Sequence, residues 1–112
     1  MEITIVSQPP VTVVQISGSV DGLTADTLLS ALTEQVRGGN TRLVADFSAV
    51  LYTSSAGLRV LLATVKETRQ RGGDFRIAAV NPNVHKVLEL SGFTSILKVF
   101  GDVEAAVSSF LP

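Results

Sequence analysis

The side chains in this sequence that could do chemistry are a run of hydroxyls, a few carboxylates and one imidazole. Thr53, Ser54 and Ser55 stand between an apolar run at 42–47 and a stretch whose apolar residues fall at 58, 61, 62 and 65. That spacing is one face of a helix, so Ser54 and Ser55 belong at or near a helix N-terminus. Backbone N–H groups lack partners there and the helix dipole favours negative charge. Two uses follow. A serine oxygen can cap the helix by accepting from an orphan N–H. Alternatively, a serine hydroxyl can carry a phosphoryl group, which this position tolerates electrostatically.

A third use, hydrolysis, fits poorly. Position 53 lacks the first glycine of a G-x-S-x-G nucleophile elbow, and no acid is placed to orient a Ser55–His85 pair. His85, the only histidine, falls on the polar side of its own helical stripe and reads as solvent-exposed. There is no cysteine, no Cys/His cluster with zinc spacing and no G-x-x-x-x-G-K-[ST] phosphate loop. No metal, nucleotide or other cofactor is therefore expected, and the chain reads as a non-enzyme.

The charged residues near the serines admit two readings each. Asp21, in Gly18-Ser19-Val20-Asp21-Gly22, suits a turn in which the carboxylate bonds its own backbone. Asp46 interrupts an apolar strand. It either accepts loop N–H groups at the strand end, the favoured reading, or stands beside Ser55 to steer a metal or an incoming phosphate. Arg59 lies about one turn from the serines and could pair with a phosphate or an acidic partner. The run from Lys66 to Arg71 reads as a solvated face, with Glu67 and Arg71 one turn apart as a modest pair. Leu51 and Tyr52 are apolar for a loop, and either pack it down or face a partner.

These groups must be positioned by a small number of elements. The chain has 112 residues, 46% of them hydrophobic, which is enough for one domain with a proper core and no disulfide staples. A net charge of −1 without a basic stripe argues against nucleic-acid binding. No apolar run approaches the roughly 20 residues that span a bilayer. Met1-Glu2-Ile3 lacks a basic signal-peptide start, so a soluble cytoplasmic protein is expected.

Strands are expected at about 2–7 and 11–17, joined through Ser7-Gln8-Pro9-Pro10 as an antiparallel hairpin. A helix follows with Thr24 as N-cap, a stripe of Leu28, Leu29, Leu32 and Val36, and Gly38-Gly39 as its stop. Next come a strand at 42–47, a helix from about Gly57 to Arg71 and a strand at 74–80. A helix capped by Asn81-Pro82, a strand at 96–100 and a helix capped by Asp102 complete the chain. The order ββαβαβαβα predicts an α/β fold: a mixed, mostly parallel sheet with helices packed on it.

Tyr52-Thr53-Ser54-Ser55-Ala56-Gly57-Leu58 resembles the signature loop of the STAS domain family, the anti-sigma factor antagonists, whose commonest form is aspartate-serine-serine-glycine-leucine. Gly18-x-Val20-Asp21 and Leu90-Ser91-Gly92-Phe93 are similar to two further family patterns, and the likeness covers essentially the whole of 1–112. Aligned on Gly57 and Leu58, the family's phosphorylated serine falls on Ser55. Ser54 stands where many relatives have aspartate, which makes it an alternative acceptor, and Ala56 replaces the usual second serine. The resemblance implies a partner switch. The unmodified surface of Asp21, Thr53, Ser54, Ser55, Ala56, Gly57 and Arg59 would bind an anti-sigma factor serine/threonine kinase and release a sigma factor. Phosphorylation of Ser55 would end that binding, and a phosphatase would reset it. The kinase would supply ATP and Mg²⁺. A monomer or weak dimer is implied, with no nucleic acid or membrane partner. The rival reading is a STAS interaction module that is never phosphorylated and binds another protein, a small ligand or a nucleotide.

Overall fold

The computed structural model describes all 112 residues. Strands β1 (Glu2–Gln8) and β2 (Val11–Val20) form the antiparallel hairpin that the short connection requires. Helix α1 (Ala25–Arg37), strand β3 (Arg42–Thr53), helix α2 (Ser55–Gln70), strand β4 (Asp74–Ala78) and helix α3 (Pro82–Leu90) then alternate. A 3₁₀ turn at Phe93–Ser95, strand β5 (Val99–Phe100) and helix α4 (Val103–Ser108) end the chain. The sheet runs β1-β2-β3-β4-β5, with β1 antiparallel and all later neighbours parallel. This is the expected mixed α/β architecture.

Each parallel crossover steps to the next strand in the same direction, so connections of one hand place their helices on one face. Leu28, Leu32 and Val36 of α1, Val60, Leu61 and Val65 of α2, and Val84 and Leu88 of α3 share a 20-residue core with Val14, Ile16, Leu43, Phe47, Phe75 and Ile77. The opposite face is covered only by α4, where Ala106 meets Val11, Val13, Val44 and Ala78.

Several elements depart from their expected bounds. The third strand runs on from 47 to Thr53. Two register shifts against β2 each add one residue to β3: Gln15 faces Asp46 but Ser17 faces Ala49, and Gly18 faces Val50 but Ser19 faces Tyr52. Inward residues thus fall at Phe47, Val50 and Thr53, a spacing of three that a period-two reading takes for the end of a strand.

In α2 the buried stripe is Gly57, Val60, Leu61, Thr64, Val65 and Thr68, rotated from the expected 58, 61, 62, 65. Thr64 and Thr68 enter the core because their hydroxyls bond the helix's own carbonyls, at 2.8 Å to Val60 O and 2.9 Å to Thr64 O. The fourth strand stops at Ala78, because Ala79 adopts φ +61°, in the left-handed region. The fifth shrinks to two residues, the chain before it being taken up by the 3₁₀ turn.

Candidate functional site

The candidate site is the end of the sheet where β2 and β3 finish side by side and deliver the chain into α1 and α2. Val20 faces Thr53 in the ladder, and the Ser54 N–H donates to Val20 O at 2.8 Å. This bond fixes the start of α2 beside the turn that holds Asp21. Ser54 is the N-cap residue, extended at φ −98° and ψ 178°. Its carbonyl accepts the first helical bond from Leu58 N at 3.0 Å, so the N–H groups of Ser55, Ala56 and Gly57 have no partner within the helix.

The two serines differ. Ser54 Oγ is buried and bonded to nothing, so it does not cap the helix. Ser55, the first helical residue, is exposed. Gly57 is buried against β2: a Cβ there would collide with Thr53 Oγ1 and lie 2.9 Å from Val20 Cγ1 and 3.0 Å from Val20 O. The glycine is required by this close approach, which seats the first turn of α2 on the ends of β2 and β3. Thr53 is buried, Ala56 is half-buried against the core, and Arg59 is exposed.

Asp21 behaves as a turn residue. Its Oδ1 accepts from Leu23 N at 2.9 Å. Thr24 precedes α1 as expected, but its hydroxyl does not cap that helix. It donates to Ser19 O at 2.8 Å and accepts from Asp21 N at 3.0 Å, bracing the turn instead. The N-caps of α3 and α4 are made as expected, Asn81 by accepting from Val84 N at 2.8 Å and Asp102 from Ala105 N at 2.7 Å.

Asp46 does not stand beside the serines. It lies seven residues before Thr53, the last residue of β3, roughly 20 Å along the strand at the usual rise, and accepts from Ser48 N at 2.9 Å at the first register shift. The reading in which it steers phosphate or metal at Ser55 is therefore wrong. His85 pairs with Glu89 at 2.8 Å, and Glu67 with Arg71 at 3.7 Å, both one turn apart.

Leu51 and Tyr52 belong to β3 rather than to a loop. The second register shift turns both outward, leaving them 72% and 54% exposed. Beside them opens a cavity of about 40 Å³ lined by Thr53, Asn83, Val84 and Val87. Two contributors were not legible in the sequence. Leu23, in the Asp21 turn, is 94% exposed and adds a further apolar side chain. Asn81, read only as a helix cap, also donates to Val50 O at 3.1 Å and Leu51 O at 3.3 Å, tying α3 to the outward bend of β3. The Asn-Pro pair signalled the cap, whereas the strand carbonyls lie thirty residues away and left no local trace. No group of three histidine, cysteine, aspartate or glutamate side chains could hold a metal ion. No helix is long and apolar enough to cross a membrane.

A five-stranded mixed sheet with this helix order and an exposed serine at the β3–α2 junction defines a small α/β domain with helices on a mostly parallel sheet. The chain belongs to the STAS domain family, whose model matches residues 2–106. It is 40% identical over 95 residues to BtrV of Bordetella bronchiseptica, a proposed anti-sigma factor antagonist, covering 85% of this chain and 82% of that protein. The structure of an anti-sigma factor antagonist from Mycobacterium paratuberculosis superposes with a TM-score of 0.85 at 28% identity, covering 96% of this chain and 92% of the other. The Bacillus anti-sigma factor antagonist SpoIIAA shares the fold. Its unphosphorylated form gives a TM-score of 0.76 at 14% identity over 98% and 97% of the two chains, and its phosphorylated form 0.75 at 16% over 97% and 99%.

Proposed function

We propose that this protein is an anti-sigma factor antagonist switched by phosphorylation of Ser55. In the unmodified state the surface around Asp21 and Ser55, with exposed Leu23, Leu51 and Tyr52, docks on an anti-sigma factor kinase and displaces the sigma factor it holds. The kinase then transfers the γ-phosphoryl group of ATP: a Ser55 Oγ–P bond forms, the bond to the ADP oxygen breaks, and the serine proton passes to a base on the kinase. The phosphate brings about −1.5 to −2 charges into a surface of apolar side chains. Repulsion and desolvation then separate the complex, without a change of fold. A phosphatase restores the starting state.

The observation that carries this reading is the contrast between the two serines. Ser55 presents an exposed hydroxyl at the start of a 16-residue helix, while Ser54 Oγ is buried beside it. A kinase can reach the first without unfolding anything and cannot reach the second. SpoIIAA, which shares the fold, exists in a phosphorylated form, and the relatives' names point to the same class of partner. The domain itself contributes a substrate hydroxyl and a binding surface, with no catalysis of its own.

The test is binding to the anti-sigma kinase of the same organism, measured by calorimetry on wild type, Ser55→Ala and Ser55→Asp. Ser55→Ala should bind like wild type and accept no phosphate. Ser55→Asp should bind at least about tenfold more weakly while melting as wild type does. Equal affinity for all three would remove the switch and leave a constitutive interaction module.

A further inference from the structure

We propose that Arg59 is an intramolecular clamp for the phosphate on Ser55. The inference rests on the phosphorylation reading and adds the device that holds the modified side chain on the free domain. Ser55 and Arg59 are both exposed and stand one turn apart on α2. Helical side chains lean toward the N-terminus, so a long side chain at i+4 lies back over residue i. An acidic group four residues N-terminal to a cation is also the better orientation for such a pair.

Arg59 is free to take this role. Arg37, Arg69, Arg71 and Arg76 all lie within 4 Å of a carboxylate, whereas Arg59 and Arg42 are in no ion pair, and Arg42 lies at the start of β3, far from the serines. It is the only cation in α2 before Lys66. It lines an open cleft between α1 and α2 together with Ala25, Asp26, Leu29 and Ala56. Asp26 is the only carboxylate lining that cleft, and it makes no ion pair with Arg59. A dianionic phosphate would be the stronger attractor for the guanidinium, which can meet two of its oxygens at once. Closing the clamp also withdraws Arg59 from the surface offered to the kinase, so one modification would change two side chains of that surface.

The experiment places phosphoserine at position 55 during translation, by an expanded genetic code, so that no kinase is needed. The phosphate is then titrated by ³¹P NMR in the Arg59, Arg59→Gln and Arg59→Lys backgrounds. The helix N-terminus acts equally in all three and drops out of the comparison. The clamp predicts that the second phosphate pKa is lower with Arg59 than with Gln by about 0.3 unit. Lys should recover part of the difference, and 0.5 M salt should shrink it. Identical titration in all three proteins overturns the clamp. That outcome leaves the switch itself standing, because kinase recognition of Ser55 is measured separately on the unmodified chain.

Discussion

The two ends of the sheet are finished in opposite ways. At the start of β4, Asp74 sits nearly buried beside the Arg42 end of β3. Its carboxylate accepts from Arg69 Nε at 2.8 Å, Arg76 Nε at 3.0 Å and Phe75 N at 2.9 Å. Arg69 goes on to donate to Ile96 O at 2.6 Å. Arg76 donates to Ser109 Oγ at 2.8 Å and lies 3.9 Å over the Phe110 ring. One carboxylate thereby joins α2, β4, the segment before β5 and the C-terminal helix. At the other end, around Thr53 and Ser55, a buried hydroxyl has no partner, a helix start is uncapped by side chains, and Leu23, Leu51 and Tyr52 face solvent. The first arrangement stabilises the fold. The second leaves polar and apolar groups open, which suits a surface completed by a partner. Substitutions in the Asp74 cluster should therefore cost stability and leave binding unchanged, whereas substitutions of the exposed side chains at the other end should cost binding and little stability.

Asp74→Ala should have the largest effect on folding. It strands Arg76, whose side chain is only 12% exposed, and frees Arg69. A loss of about 3 kcal/mol in urea unfolding is expected, with kinase binding unchanged after correction for the folded fraction. Acid should find the same residue. Burial raises the Asp74 pKa, but the hydrogen bonds from Arg69, Arg76 and Phe75 N, with the Arg69 charge, outweigh it and hold the group below its usual 3.8. The unfolded chain then binds the proton more readily than the native one. Asp74 thus contributes stability that is fully present above about pH 4 and lost as pH falls through the lowered native value. An Asp74→Asn variant should show a flatter acid limb in unfolding measured between pH 5 and pH 2.

Gly57→Ala comes next. The added methyl meets Thr53 Oγ1 and the Val20 side chain and carbonyl, so about 2 kcal/mol of destabilisation is expected, together with shifted amide resonances at 54–58. Ser54→Ala should move the other way. A serine that caps a helix loses about 1 kcal/mol on this change. Here the hydroxyl is buried and unpaired, so stability should hold or rise by up to about 1 kcal/mol. A loss of that size would show that Ser54 caps α2 after all and would erase the contrast between the serines. The smallest change in stability belongs to Tyr52→Ser, within about 0.5 kcal/mol because the residue is more than half exposed and outside the core. This variant should nonetheless weaken kinase binding about tenfold or more in calorimetry.

Most of the architecture was legible because hydrophobic period and punctuation agreed. The Pro9-Pro10 turn, the Gly38-Gly39 stop and the Asn81-Pro82 start all lie where they delimit elements. The far half of β3 was not legible, since two extra residues replace alternation with inward positions at 47, 50 and 53. The α2 stripe was misplaced by one position because Thr64 and Thr68 count as polar until their hydroxyls are seen bonded to the helix. The Asp74 cluster draws on residues from 69 to 110, a juxtaposition that no local pattern encodes. Within the site, residue types placed Ser54 and Ser55 at a helix start. Only the Ser54 N–H bond to Val20, which packs one serine inward, separates their roles.

The central claim is that one hydroxyl, on Ser55, carries the switch. Its most direct test is intact-mass and peptide mass spectrometry on protein purified from its native cells with phosphatase inhibitors present. A single phosphoryl group localised to Ser55, with the amount varying with growth condition, is the predicted result. Phosphate on Ser54, or none under any condition tested, would contradict the account.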